Sequence, residues 1–159
     1  MMLRPYFTRL TILLLAVIAS GSVLAQNPAK PVTKFKPPVV KSALGKNTSA
    51  DNTISLEEGK NSIALPLKVV DEKNNNYSVS SYQFAYKRKG VVEDDSSGQV
   101  TPETDMVANR FTSTPLPDVW VKTIKAELHT GEQLYFFDII AKDDKGRLFF
   151  APELKLTVE

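Results

Sequence analysis

The run Gln133-Leu134-Tyr135-Phe136-Phe137-Asp138-Ile139-Ile140-Ala141-Lys142, followed by Asp143-Asp144-Lys145-Gly146 and by Arg147 to Val158, decides the fold. From 133 to 141 the apolar residues occupy both parities. Tyr135, Phe137 and Ile139 fall on one side, and Leu134, Phe136 and Ile140 on the other. Such a segment reads as a central strand covered on both sides. The Asp-first, Gly-last tetrapeptide reads as a hairpin loop. The closing strand, 147–158, alternates through Leu148, Phe150, Pro152, Leu154, Leu156 and Val158, which is period two.

Upstream segments carry the same β signature. Residues 61–70 place Ile63, Leu65, Leu67 and Val69 on one face, with Pro66 opposite. Proline cannot donate to a ladder, so this strand is expected at an edge. Asp71 to Asn76 is a polar turn whose asparagines suit left-handed backbone. A second alternating strand, 77–88, groups Tyr82, Phe84 and Tyr86, and a polar loop follows from Glu93 to Gly98. Thr101-Pro102-Glu103 has the form of a helix start, with a capping hydroxyl, proline in the first turn and an acid at the positive end of the dipole. Thr114-Pro115-Leu116-Pro117 ends that short helix. Asp118 then reads as the cap of a second, with Trp120, Ile124 and Leu128 on one face and Gly131 as its stop. The expected fold is therefore mainly β (α+β): a small antiparallel β-sandwich-like domain over 51–159 with one or two short helices.

The N-terminal third reads differently. Arg4 and Arg9 precede an apolar run from Leu10 to Ala19, and Val23-Leu24-Ala25 supplies small residues at a cleavage position. Residues 1–25 thus read as a secretory signal peptide. The apolar core falls well short of the roughly 20 residues that a membrane span needs. Residues 26–50 carry five lysines (Lys30, Lys34, Lys36, Lys41, Lys46), no acid and four prolines, and show no amphipathic period. They read as an extended Lys/Pro-rich flexible arm. Residues 51–159 hold 13 basic and 18 acidic side chains. The formal +2 of the whole chain therefore belongs to the leader, and behind it a +5 arm precedes a −5 domain.

Composition removes many chemistries. There is no Cys and a single His, His129. That excludes disulfides, thiolate nucleophiles and thiolate metal sites, along with any site needing two imidazoles. The acidic runs 93–95 and 143–144 lack the spacing of a calcium loop and read as solvated turn carboxylates. His129 suits the C-terminal end of a helix dipole. Trp120 reads as a core anchor rather than a ligand platform. Lys87-Arg88-Lys89 lacks the basic-aromatic interleaving of a nucleic-acid surface. Asn47-Thr48-Ser49 and Asn76-Tyr77-Ser78 match a short glycosylation sequon. No catalytic set, cofactor site or metal site emerges, and no nucleic-acid partner is expected.

Leu128-His129-Thr130-Gly131-Glu132, the 133–142 strand, Asp144-Lys145-Gly146-Arg147 and Pro152-Glu153-Leu154-Lys155-Leu156-Thr157-Val158 together resemble the terminal periplasmic domain of the GldM/PorM proteins of gliding motility and type IX secretion. The strand Val79–Tyr86 and the Gly98–Pro102 segment are similar to its upstream half. The chain departs from that pattern in having Glu132 where the family often has Asp, and in an apparent insertion at Asn109–Val119. It also shows no membrane anchor of the family's kind. The resemblance implies an exported, non-enzymatic, β-rich interaction domain of the periplasm or cell envelope with a protein partner. Two other readings stand beside it. One is a carbohydrate- or peptide-binding β-sandwich module, favoured if Tyr77 or Tyr135 forms an exposed platform. The other is a carboxylate-pair hydrolase, which requires two acids about 5–9 Å apart.

Overall fold

Apolar side chains can all reach one core only if the long strands change parity together, and they do. The computed structural model describes residues 35–48 and 51–159, with Pro37–Glu159 as one compact unit. In chain order the elements are β1 (Val40–Leu44), β2 (Asn47–Thr48), β3 (Asp51–Ile54), α1 (Leu56–Ser62), β4 (Leu67–Asp71), β5 (Asn76–Glu93), β6 (Val100–Phe111), α2 (Asp118–Glu127), β7 (Gln133–Lys142), β8 (Leu148–Ala151) and β9 (Leu154–Val158). The sheet runs β2-β1-β4-β5-β7-β9-β3, with β6 beside β5 and β8 beside β7. β3 and β9 pair in parallel, and the other pairings are antiparallel. This is the mainly β, two-helix architecture anticipated above.

On β7, Leu134 and Phe136 are buried, then Ile139 and Ala141. The parity switches at Phe137–Asp138, where the β5–β7 register also slips. Across the strand, Phe149 and Ala151 are buried and then Leu154, Leu156 and Val158, so the same switch occurs at Pro152–Glu153. On β5 the register slips around Ser81, and Tyr82, Phe84 and Tyr86 become the buried set. Asp138 absorbs its share of the bulge with φ 46°, a left-handed conformation that Asp tolerates better than most side chains. Its carboxylate accepts a hydrogen bond from Gln83 Nε2 at 2.6 Å. Buried Ser42 on β1 donates to the Pro152 carbonyl at the second slip, joining β1 to the β8–β9 corner.

The core lies on one face of this sheet. Phe84 and Phe136 meet at 4.8 Å, and Trp120 of α2 stands edge-on to Phe84 and Phe111, at 5.8 and 5.5 Å. Ile124 and Leu128 complete the helical stripe and are almost fully buried, as the i, i+4, i+8 spacing requires. Each such side chain contributes about 1.5–3 kcal/mol through burial. Gly59 lets α1 sit close, since a Cβ there would stand 2.9 Å from Leu128 Cδ2.

Several sequence expectations are corrected. Val40–Leu44 and Asn47–Thr48 are strands, so the arm read over 26–50 gives up its last third to the sheet. There Leu44 is buried against the pairing of β1 with β4, and Lys46 pairs with Glu58. Charge and proline content hid a short apolar strand. The signal-peptide segment 1–25, and the arm up to residue 34, lie outside the described residues. The helix expected after Thr101 is instead β6, paired along its whole length with β5. A local cap signal has lost there to a twelve-residue partner register. The strand expected over 61–70 begins only at Leu67, and residues 56–62 ahead of it form a helix, whose first turn Ser55 Oγ caps at the Glu58 amide. The Ser55-x-x-Glu58 spacing is a capping signature. Pro66 precedes β4, which is flanked by β1 and β5 and is not an edge. Pro117, not Asp118, occupies the N-cap of α2. β7 is central in pairing but has one packed face, because Tyr135 and Phe137 remain partly exposed on the other. The closing strand divides in two, with Leu148 and Phe150 outward.

Substitution Asp138→Val puts a β-branched residue at positive φ and removes the Gln83 contact. It is expected to cost about 1–2 kcal/mol in urea unfolding, whereas Asp138→Asn stays close to the parent.

Candidate functional site

β5 and β6 continue past the body of the sheet as a two-stranded hairpin. Its tip is a polar loop in which Asp94 Oδ1 accepts from the Ser96 and Ser97 amides at 2.9 Å and from Ser96 Oγ. Gly98, with φ 65°, closes the turn. These donors, Ser96 first, hold the Asp94 carboxyl down at about 2. From Val100 to Arg110 every residue of β6 is exposed, and only Phe111 is buried. β6 pairs with β5 alone, so its outer row of backbone groups is an open edge. Val91, Val92, Val100, Met106 and Val107 are large apolar side chains left exposed on this hairpin. Between Gly90 and Asn109 the sequence carries Glu93, Asp94, Asp95, Glu103 and Asp105, and no Lys, Arg or His.

The hairpin is anchored at its root. Arg88 forms ion pairs with Asp105 across the strands and with Glu127 of α2 (3.2 Å), and lies 5.9 Å from the Tyr86 ring. One residue behind it, buried Glu132 receives the Tyr86 hydroxyl, the His129 amide at 2.9 Å and the Lys89 amide at 3.3 Å. Burial, then the Glu132 carboxylate, pushes the Tyr86 phenol far above its ordinary value, so it remains a donor. Beside the root, Val107, Val119, Trp120 and Thr123 line an apolar notch of about 150 Å³.

The outer sheet face is a second exposed feature. Tyr135 and Phe137 stack in parallel there, with centroids 4.9 Å apart and planes 13° apart. The Lys87 ammonium lies over the Tyr135 ring at 5.7 Å, approaching from the Gln133 side. The Tyr135 hydroxyl donates to Glu153, which with burial pushes the phenol up to about 12. A shallow depression of about 350 Å³ is bounded by Asp51, Lys87, Tyr135, Glu153 and Lys155.

The residues singled out in the sequence are mostly in structural employment. Asp143 accepts from the Lys145 and Arg147 amides and pairs with the Arg147 guanidinium. His129 uses its backbone amide to bind Glu132, and its side chain is exposed. Trp120 is the expected anchor, yet it also forms a wall of the notch. Lys87, Arg88 and Lys89 diverge, to the Tyr135 ring, to the acids of the hairpin root, and over Gly131. Tyr77 packs edge-on to Phe149 and donates to Asp71. Asn47 Nδ2 is engaged with Glu58 at 2.9 Å, whereas Asn76 is exposed at the start of β5. Among the described residues no group of three or more His, Asp or Glu side chains has the geometry to hold a metal ion, and no helix is long and apolar enough to cross a membrane.

The β6 edge and the notch were not legible as such, because Thr101-Pro102-Glu103 reads as a helix start. The available signal was the tip: Asp94 to Gly98 has the Asp-first, Gly-last order of Asp143 to Gly146, which also marks a hairpin. No protein-family model matches the chain, and no curated protein matches it.

Removing one partner of the buried pair leaves an unsatisfied group. Tyr86→Phe is expected to cost about 1–3 kcal/mol in denaturant unfolding, and Glu132→Ala a similar amount. The double variant should cost less than the sum. A depressed Asp94 pKa contributes stability that is present above about pH 4 and lost as pH falls toward about 2. Carboxyl NMR titration should place Asp94 at the low end of that window, and Ser96→Ala should raise its midpoint.

Proposed function

We propose that this chain is an exported, non-enzymatic protein-interaction or scaffolding domain of the bacterial cell envelope, and that the β5–β6 hairpin is its working surface. The observation that carries the reading is the open twelve-residue β6 edge. An isolated two-stranded ribbon is marginal in water, and an unprotected edge invites strand addition by another chain. The Arg88 and Glu132 contacts hold the root of the ribbon in place, so a partner meets an edge already ordered.

Periplasmic location rests on the leader-like segment 1–25, and a role beside gliding or type IX secretion rests on the GldM/PorM-like 128–158 run. A carbohydrate platform is less well supported by the geometry. The Tyr135 ring is engaged by Phe137 and Lys87, and Tyr77 is half-buried and held by Phe149 and Asp71, so neither tyrosine stands out as a free aromatic platform. Of the acids highlighted in the sequence, Asp94 and Asp143 hold turns, and Asp143 also pairs with Arg147.

The test is site-specific photocrosslinking in the native envelope. A photoreactive residue replacing Met106, which is 55% exposed, should give discrete protein adducts, whereas one replacing exposed Glu72, in the β4–β5 turn at the opposite end of β5 from the hairpin tip, should not. If both positions give no protein adduct while the purified protein binds on a glycan array, the interaction-domain reading is wrong.

A further inference from the structure

Resting on that reading, we infer that the β6 edge takes an extended, basic strand of a different protein, which seats one aliphatic side chain in the Val107–Val119–Trp120 notch. Three features of the surface fix this chemistry. The edge supplies main-chain donors and acceptors to any extended segment, whatever its sequence. The notch supplies selection. Its volume of about 150 Å³ suits a single branched side chain, and Val107, Val119 and the Trp120 ring make it apolar. Val119 is 66% exposed and Val107 39% exposed, so covering them removes apolar surface from water.

Charge supplies the third feature and separates this partner from a second copy. From Gly90 to Asn109 the chain carries five acids and no base, while on the paired strand Lys89 stands opposite Thr104 and Arg88 opposite Asp105. Asp105 is balanced by Arg88, but Glu103, Glu93, Asp94 and Asp95 have no ion pair among the described contacts. Asp94 is held ionised well below neutral pH by Ser96 and Ser97. Glu103, Asp105 and Val107 alternate on one face of β6, since they oppose Gly90, Arg88 and Tyr86. Antiparallel self-pairing centred on this part of the edge brings Glu103 against Glu103, or Glu103 against Asp105, of the copy. Like charges directly opposite destabilise a strand pair. A partner strand with Lys or Arg at alternate positions meets the same acids favourably, on the face of β6 that also carries Val107 and the notch. Pro102 limits the register, because it has no N–H to donate toward the partner.

The probes are three synthetic ten-residue peptides of alternating valine and threonine with a central leucine. One has two flanking lysines, one has two glutamates instead, and one keeps the lysines but replaces the leucine by glycine. Binding to the full-length, isotope-labelled protein is followed by amide shifts and by the Trp120 indole signal. The lysine–leucine peptide should move amides between 100 and 110 together with the indole, and should weaken about tenfold on raising salt from about 50 to about 300 mM. The glutamate peptide, and the glycine peptide, should each bind about tenfold more weakly or worse. Val119→Arg, at an exposed helical position, should reduce lysine–leucine binding to a similar degree without changing the amide spectrum of the free protein. Thr104→Pro should do the same through the edge.

Equal binding of lysine and glutamate peptides at β6 overturns the basic partner while leaving the hairpin as an interaction surface. A concentration-dependent dimer whose formation perturbs β6 overturns the separate partner in favour of a second copy. Failure of all peptides to move β6 amides, with envelope adducts still formed at position 106, overturns the strand-and-notch chemistry alone. Absence of those adducts removes the proposed function itself.

Discussion

The shared change of parity along β5, β7 and the β8–β9 stretch is the constraint on which the domain depends. Side chains alternate faces along a strand, so one inserted residue sends every later side chain to the opposite side. Leu134 and Phe136 could not share a core with Ile139 and Ala141 unless the strand gained a residue between them. The slip at Asp138 does this for β7, the Pro152–Glu153 corner for its neighbour, and the irregularity around Ser81 for β5. Because the three slips lie at one level, the ladder stays paired on either side of them. Ser42 and Gln83 bind the polar groups that the slips set free.

That arrangement leaves α2 to be fixed by apolar packing and the hairpin root by polar contacts. Trp120 and Leu128 seat the helix on the aromatic core, and Arg88 ties its last turn to the ribbon through Glu127. Glu132 closes the far side, where β7 begins. It is buried, and three donors reach it. Such a carboxylate is held at a desolvation cost that only full satisfaction offsets. The consequence is a rigid root beneath a ribbon that is itself exposed on both faces. Rigidity at the root and openness along β6 are what an edge-docking surface needs, since a pre-ordered edge spares a partner part of the entropy of association.

Electrostatics changes meaning once the fold is known. The segment boundary near residue 50 made the charge contrast a +5 arm against a −5 domain. With β1 and β2 in the sheet, Lys41 and Lys46 belong to the folded unit, and residues 37–159 hold 15 basic and 18 acidic side chains. The sharper asymmetry lies inside the domain, in the acid-only stretch from Gly90 to Asn109. On the ribbon these acids are divided between its two faces, Glu103 and Asp105 on one and Glu93, opposite Val100, on the other.

The sequence by itself determined the class of the domain, the strands β4, β5 and β7 and the β8–β9 stretch, the helical stripe of Trp120, Ile124 and Leu128, and the turns at Asp71–Asn76 and Asp143–Gly146. These depend on local periodicity and turn chemistry, which a linear reading captures. It did not determine the fate of Thr101–Phe111, of Val40–Thr48 or of Leu56–Ser62. For the first two the deciding contribution is pairing with a strand distant in sequence, which local propensity cannot register. For the third the Ser55-x-x-Glu58 cap was present, but Leu56–Ser62 holds a single large apolar side chain and so shows no helical period. The phase of 147–158 escaped for a related reason: Leu148 and Phe150 are as apolar as Phe149, and only the slip at Pro152 decides which face meets the core. The open β6 edge, the notch beside Trp120 and the buried Glu132 exist only where tertiary structure brings β5, β6, α2 and the start of β7 together.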